Sequence, residues 1–340
     1  MTLLATPKAV PQIDGVDRRR FEDDIRAAHQ PVIFRGLAAQ WPAVQAARQS
    51  DEALIAYLRQ FRRDGPVAVL LGEPGINGRF FYNHDLTGFN FTRGRSPLDP
   101  FFDRLLRDRN DPAPYSVAVQ SEPVPQVFPG FETENGLDLL DAAIVPRAWM
   151  GNRIMVAPHY DLMENIGCVV AGRRRFTLFP PDQIGNLYPG PMELTPAGTP
   201  VSMVDLANPD LERYPRFAAA METAQVADLE PGDAIYIPFH WWHGVESLEP
   251  LNLFVNYWWN DARKDIGRPY DALMYGFFAL RNLPAEQRAV WRTVFDYYVF
   301  QTDSDPAAHL PPQAQGILGP LTPDMLRRIR ATLKEISSNL

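Results

Sequence analysis

The chain has 340 residues, 46% of them hydrophobic and 22% charged, which is enough to bury a sizeable core in one large domain or two modest ones. Its formal net charge is −8, and this argues against a dedicated nucleic-acid-binding protein, which normally carries a basic face. The single cysteine, Cys168, excludes an internal disulfide, and no apolar run approaches the roughly 18 residues that span a bilayer. We therefore expect a cytoplasmic protein with neither nucleic acid nor membrane as a partner.

The first third of the chain predicts an α/β segment. Apolar residues recur at helical spacing in three places, and short β-branched or aromatic runs lie between them. Ser50 is a plausible N-cap for the second helix. The predicted elements are a helix at residues 17–29, a strand at 31–35, a helix after Ser50, strands at 67–71 and 80–82, and a helix at 97–107.

The pattern changes from about residue 115 to residue 260. Short β-branched and aromatic runs alternate there with Pro, Gly, Asn and Asp turns, which is typical of an antiparallel barrel or sandwich. The predicted strands lie at residues 116–120, 154–156, 166–170, 176–179, 234–238 and 253–259.

Helical spacing returns beyond Asp265, and Thr322 and Pro323 predict the start of the last helix. We divide the chain into an N-terminal α/β segment packed on the core (1–114), a mainly β core (115–262) and C-terminal helices (263–340).

The central motif is His159-Tyr160-Asp161. On an extended chain, residues i and i+2 point the same way, so this imidazole and carboxylate can converge on one point. The alternative is a solvent-facing pair in a loop. Two more histidines, His240 and His243, are expected at the end of the apolar strand at 234–238, and one of them could supply a third ligand. Two histidines and one carboxylate are the ligands of non-haem iron(II) oxygenases.

Three adjacent arginines follow the predicted strand at 166–170 and the turn Ala171-Gly172, which indicates a hairpin. Arg174 lies on one face of the return strand, and Arg173 and Arg175 lie on the other. An arginine inside a barrel is costly unless it meets an anion such as a carboxylate. The alternative is that all three arginines are splayed at a strand edge.

Further short motifs surround these residues in the sequence. They are Pro158-His159-Tyr160-Asp161, Phe179-Pro180-Pro181-Asp182-Gln183, Leu187-Tyr188-Pro189, Asn208-Pro209-Asp210, Pro231-Gly232-Asp233, Trp241-Trp242-His243 and Val255-Asn256. In order and spacing they resemble the cupin-like branch of the JmjC-related oxygenases, most of all the asparaginyl hydroxylase that inhibits hypoxia-inducible factor. The resemblance covers roughly residues 150 to 260.

The resemblance implies a double-stranded β-helix of the cupin or jelly-roll type. It implies that His159, Asp161 and His243 are catalytic residues that bind Fe(II). It further implies an Fe(II)- and 2-oxoglutarate-dependent dioxygenase that uses O₂, hydroxylates a C–H bond and releases succinate and CO₂. The primary substrate is left open between a protein side chain and a small molecule, and a homodimer through the C-terminal helices is expected.

The resemblance also assigns the binding of 2-oxoglutarate. Arg174 falls where the hypoxia-factor hydroxylase has a lysine that grips the distal carboxylate. Asn165 and Asn256 match asparagines near the metal and the co-substrate, and Trp258 and Gln120 are further candidates beside it.

Two positions depart from the family. A threonine that contacts 2-oxoglutarate is Val156 here, and the family's co-substrate tyrosine has no clear equivalent, although Gln120 or Ser121 can occupy that area. Two alternatives therefore stay open: a cupin dioxygenase that does not use 2-oxoglutarate, and a non-catalytic cupin-like binding protein.

Overall fold

The computed structural model of the protein describes residues 4–338. The chain divides into two compact units, Met1–Asn260 and Asp261–Leu340. The division predicted at residues 114 and 262 stays a prediction.

Fifteen strands form within the described residues. They are β1 Lys8–Ala9, β2 Gln12–Asp14, β3 Val32–Arg35, β4 Pro66–Gly72, β5 Arg79–Phe80, β6 Phe91–Pro97, β7 Ser116–Pro123, β8 Pro146–Gly151, β9 Met155–His159, β10 Glu164–Ala171, β11 Arg174–Phe179, β12 Gln225–Leu229, β13 Ala234–Ile237, β14 Trp242–Ser247 and β15 Asn252–Trp259.

The strands form two sheets, and in the core the chain passes repeatedly from one sheet to the other. One sheet has six strands in the order β1-β12-β11-β14-β9-β5, and the other has nine in the order β2-β3-β13-β10-β15-β8-β7-β4-β6. Between β8 and β15 the chain changes sheet at every step except from β11 to β12. This topology confirms the predicted mainly β, double-stranded β-helix core.

The predicted hairpin at Ala171-Gly172 is wrong. β10 pairs with β13 and β15, whereas β11 pairs with β12 and β14 in the opposite sheet. The turn therefore carries the chain across the core. Gly172 has φ +74°, and a Cβ there would lie 2.7 Å from the backbone oxygen of Leu251, so the turn requires glycine.

Helices precede, interrupt and follow the strands along the sequence. They are α1 Arg18–Arg20, continued by a π-helical turn Phe21–Arg26, then α2 Pro42–Gln49, α3 Asp51–Phe61, α4 Leu98–Asp108, α5 Val124–Val127, α6 Phe131–Glu134, α7 Phe217–Thr223, α8 Pro269–Ala279, α9 Ala285–Phe295 and α10 Pro323–Ser338. The predicted N-cap of α3 is confirmed, because the Ser50 hydroxyl accepts a hydrogen bond from the Ala53 N–H at 3.1 Å. Thr322 caps α10 in the same way through the Met325 N–H.

Two apolar clusters stabilise the first unit. One packs the N-terminal helices against the nine-stranded sheet and includes Phe21, Leu54, Phe102 and Tyr236. The other lies between the two sheets, where Phe176 of β11 meets residues of β13 and β15. The N-terminal strands extend the nine-stranded sheet at both edges, since β3 pairs with β13 and β4 pairs with β7.

The second unit contains α8, α9 and α10. Many of its large apolar side chains are exposed, among them Phe278 and Phe300. Across the described part of the chain, we find no helix with the length and hydrophobicity needed to cross a membrane.

Candidate metal centre and co-substrate pocket

Two neighbouring strands of the six-stranded sheet bring the predicted ligands together. His159 is the last residue of β9, and it lies directly opposite His243 of β14. Asp161 follows two residues later, with its Oδ2 3.6 Å from His243 Nε2. One ligand atom from each of the three side chains lies within 4.8 Å of the others. Two imidazole nitrogens and one carboxylate oxygen suit a first-row metal such as Fe(II).

The two histidines after β13 differ from each other in position. The sequence predicted both at the end of that strand. Instead, β13 ends at Ile237, and His240 occupies a turn with φ +62°, where its ring stacks on Tyr160. The chain then enters the other sheet as β14, which carries His243. The sequence did not reveal this change of sheet, because no local pattern marks where a strand finds its partners.

Hydrogen bonds fix which ring nitrogen of each histidine faces the other ligands. His159 Nδ1 lies 3.0 Å from the carbonyl oxygen of Ala157, and His243 Nδ1 lies 3.0 Å from that of Trp241. Because a carbonyl only accepts, each Nδ1 carries the proton and each Nε2 keeps its lone pair for a metal. Burial, and secondarily the nearby His243, lower the pKa of His159 to about 4. This imidazole is therefore neutral at pH 7, as a ligand must be.

Side chains of β15 and β8 orient the polar groups beside the three ligands. The Trp258 indole N–H donates to Asp161 Oδ2 at 3.1 Å. The Trp149 indole N–H donates to Asn256 Oδ1 at 2.7 Å, and Asn256 Nδ2 donates to Asn165 Oδ1 at 3.0 Å. This chain of bonds sets the orientation of both amides. The Asn165 amide N–H groups have no acceptor among residues 4–338, so they are available to a bound molecule.

Of the three adjacent arginines, Arg174 is the one that points inward. Arg173 and Arg175 pair on the outer face with Glu249 and Asp228, each at 2.7 Å. Arg174 is only 6% exposed, and its guanidinium lies 4.7 Å from the Phe254 ring centroid. Its Nε is buried without a hydrogen-bond partner.

Arg174 also has no counter-ion, since no carboxylate in the described part of the chain pairs with it. Burial lowers its pKa to about 9, so the group remains charged at pH 7 and lacks an anion.

All the site residues predicted from the sequence line one cavity of about 470 Å³. They are His159, Asp161, His243, Arg174, Asn165, Asn256, Trp258 and Gln120. Val156, which replaces the family threonine, also lines the cavity and offers no hydroxyl. Among the lining residues that the sequence missed are Trp149 and Arg93, since neither belongs to a recognised motif. The alternation of β8 alone could have indicated that Trp149 faces away from Ala148, which is buried in the cluster between the N-terminal helices and the nine-stranded sheet.

A sequence model of the cupin-like domain family matches residues 18–265, which is more than half of the chain. The chain belongs to the cupin-like domain family. This cupin-like protein is 28% identical over 266 residues to lysine-specific demethylase JMJ31 of Arabidopsis thaliana, across 70% of its own length and 47% of the relative's. It is 28% identical to lysine-specific demethylase 8 of Danio rerio, across 76% of its own length and 60% of the relative's.

A third relative is the HSPB1-associated protein 1 homolog of Danio rerio, at 25% identity over 73% of the chain and 56% of the relative. The cupin-like protein thus spans about half to three-fifths of these relatives. At the level of the family, the predicted resemblance of this chain to cupin-like, JmjC-related iron(II) and 2-oxoglutarate oxygenases is confirmed. The narrower likeness to the asparaginyl hydroxylase stays a prediction.

The Trp258–Asp161 hydrogen bond predicts an effect on metal affinity. In Trp258→Phe the carboxylate loses the donor that orients it, and we expect Fe(II) to bind about 10- to 100-fold more weakly. Anaerobic calorimetric titration with Fe(II) measures the change. Trp259→Phe is the control, because it removes an indole from the other face of β15. Equal Fe(II) affinities for the two variants would contradict the role of Trp258.

Proposed function

We propose that the cupin-like protein is an Fe(II)- and 2-oxoglutarate-dependent oxygenase that hydroxylates a C–H bond, with release of succinate and CO₂. One observation carries the proposal: a three-residue ligand set and a buried arginine without a counter-ion line the same cavity. The first could hold Fe(II), and the second could hold the distal carboxylate of 2-oxoglutarate.

In this proposal His159 and His243 would hold Fe(II) through Nε2, together with the Asp161 carboxylate. Two histidines and one carboxylate do not saturate such a metal, so the co-substrate and O₂ could also bind to it. Bound there, Fe(II) with 2-oxoglutarate and O₂ would supply the oxidant for the C–H bond. The protein fixes the tautomer of both imidazoles through the Ala157 and Trp241 carbonyl groups, and it holds the carboxylate through Trp258.

Arg174 would bind the distal carboxylate with two parallel hydrogen bonds, since a planar guanidinium matches a carboxylate in this way. The Asn165 amide, whose orientation is set through Asn256 and Trp149, would donate to an oxygen of the same ligand. These donors compensate for the missing hydroxyl at Val156. A cupin dioxygenase that does not use 2-oxoglutarate has no need of a buried cation here, and a non-catalytic binding protein has no need of three converging ligands.

The primary substrate is proposed only as a class. Two relatives are named as lysine-specific demethylases, and oxidation of an N-methyl C–H bond belongs to the same chemistry. A protein side chain and a small molecule both remain candidates.

Replacing Arg174 tests the co-substrate assignment through two effects of opposite sign. In Arg174→Met, we expect 2-oxoglutarate binding to weaken by at least about 100-fold, since two charge-assisted hydrogen bonds are lost. We also expect the melting temperature of the ligand-free protein to rise by a few degrees, because a buried cation without a counter-ion is replaced by an apolar side chain of similar volume. Calorimetry in the presence of Mn(II) measures the first effect, and differential scanning calorimetry measures the second.

The matched control is Arg175→Met, on the outer face of the same strand. It should leave 2-oxoglutarate affinity unchanged and shift stability by no more than about 0.5 kcal/mol. Undiminished 2-oxoglutarate binding in Arg174→Met would refute the proposed role of Arg174.

We also propose that the protein forms a homodimer through residues 261–338. The exposed apolar side chains of this unit, including Phe278 and Phe300, are the kind of surface that a partner covers. Light scattering at micromolar concentration should give twice the mass of one chain, and the double variant Phe278→Glu/Phe300→Glu should give a monomer. A monomeric wild-type protein under these conditions would rule out the dimer.

A further inference from the structure

A second arginine lines the cavity, on strand β6 at the edge of the nine-stranded sheet. Arg93 is exposed, and its guanidinium lies 5.2 Å from the Phe89 ring centroid and 5.9 Å from that of Phe91. These two rings stack at 4.9 Å and form a platform under the cation. No carboxylate within residues 4–338 pairs with Arg93.

The neighbouring arginines all have polar partners. Arg79 lies 3.8 Å from an Asp205 oxygen, Arg95 donates to the Pro66 carbonyl at 2.6 Å, and Arg147 donates to the Ser121 carbonyl at 2.6 Å. Two arginines line the cavity, Arg93 and Arg174. Unlike their neighbours, neither has an ion pair or a hydrogen bond in the described structure.

When the cavity holds Fe(II) and 2-oxoglutarate, the positive charge of Arg93 has no compensating negative charge. Asp161 is the one carboxylate among the lining residues. With Fe(II) at the triad and the 2-oxoglutarate dianion on Arg174, the charges of Asp161, the metal, the co-substrate and Arg174 sum to zero. The charge of Arg93 then remains, and an anionic group on the primary substrate would neutralise it.

The cavity has room for such a substrate, and its wall near Arg93 is apolar. At about 20–30 Å³ for each non-hydrogen atom, 2-oxoglutarate fills roughly 200–300 Å³. The cavity of about 470 Å³ therefore has space for part of a second molecule. On the side of β6, the lining residues Leu70, Phe80 and Ile154 pack in one cluster with Phe91.

We infer that Arg93 binds a carboxylate of the primary substrate, and that the apolar body of this substrate lies along Leu70, Phe80 and Ile154 towards the three metal ligands. The substrate class is thus an apolar acid, oxidised at a C–H bond away from its carboxylate. This inference rests on the proposed function and adds a substrate class to it.

The test compares acids with their amides. Protein loaded with Fe(II) and saturating 2-oxoglutarate is kept anaerobic, so that no turnover occurs. It is titrated by calorimetry with hexanoate and hexanamide, phenylacetate and phenylacetamide, and N-acetyl-leucine and N-acetyl-leucinamide. We expect at least one acid to bind about 10- to 100-fold more tightly than its amide, which is the effect of one charge-assisted contact.

Variants of β6 show whether this preference depends on Arg93. In Arg93→Gln, acid and amide should bind within about twofold of each other, while 2-oxoglutarate binds as in the wild type. Arg93→Lys should keep part of the preference. Arg95→Gln is the matched control on the same strand, because Arg95 does not line the cavity, and it should keep all of the preference.

Two sources of the carboxylate are distinguished by adding a pentapeptide with glutamate beside leucine and its glutamine counterpart. An Arg93-dependent preference among the free acids indicates a small-molecule substrate. A preference confined to the peptide pair indicates a polypeptide substrate. Both results support a carboxylate-binding site at Arg93. Equal binding of acid and amide in every pair overturns it, as does a preference that survives in Arg93→Gln. Failure of 2-oxoglutarate to bind would instead refute the proposed function.

Discussion

The register between β9 and β14 sets His159 directly opposite His243, and the geometry of the candidate metal centre depends on this pairing. A shift by one residue would turn one imidazole to the other face of the sheet. The carbonyl oxygens two residues before each histidine, those of Ala157 and Trp241, accept the two Nδ1 protons. Sheet pairing therefore sets the positions of the two histidines, and local backbone contacts set the nitrogen that each presents. Asp161 joins them because the chain continues only two residues past β9.

The second determinant is an uncompensated positive charge. Arg174 is buried beside Phe254 with no anion, and Arg93 lies at the edge of the same cavity, also without one. A buried cation reduces the stability of the ligand-free protein, and a bound carboxylate restores that stability. Ligand affinity and stability are therefore linked. The hydrogen-bonded chain from Trp149 through Asn256 to Asn165 adds donors whose direction is fixed before a ligand arrives, which lowers the entropic cost of binding.

Local sequence patterns predicted the parts of the site that lie close together in the chain. Alternation predicted that Arg174 faces away from Arg173 and Arg175, and the structure shows it inside. The spacing of His159 and Asp161 predicted that they converge, which the structure also shows. Contacts between distant strands were not predictable in this way. The crossing of the core at Gly172 depends on which strands β10 and β11 find as partners, and the Trp149–Asn256 hydrogen bond joins residues 107 positions apart. The family resemblance identified His243 as the third ligand, because no spacing rule links strands so far apart in the sequence.

Conversion of 2-oxoglutarate to succinate tests the proposed metal centre most directly. We expect the wild-type protein to release succinate when Fe(II), O₂ and 2-oxoglutarate are present, slowly without a primary substrate, and to stop when Fe(II) is chelated. His159→Ala should fall to the chelated level, because only two protein ligands remain. The control His84→Ala, at an exposed position away from the cavity, should match the wild type. Wild-type rates of Fe(II)-dependent succinate release by His159→Ala would contradict the assignment of the metal centre.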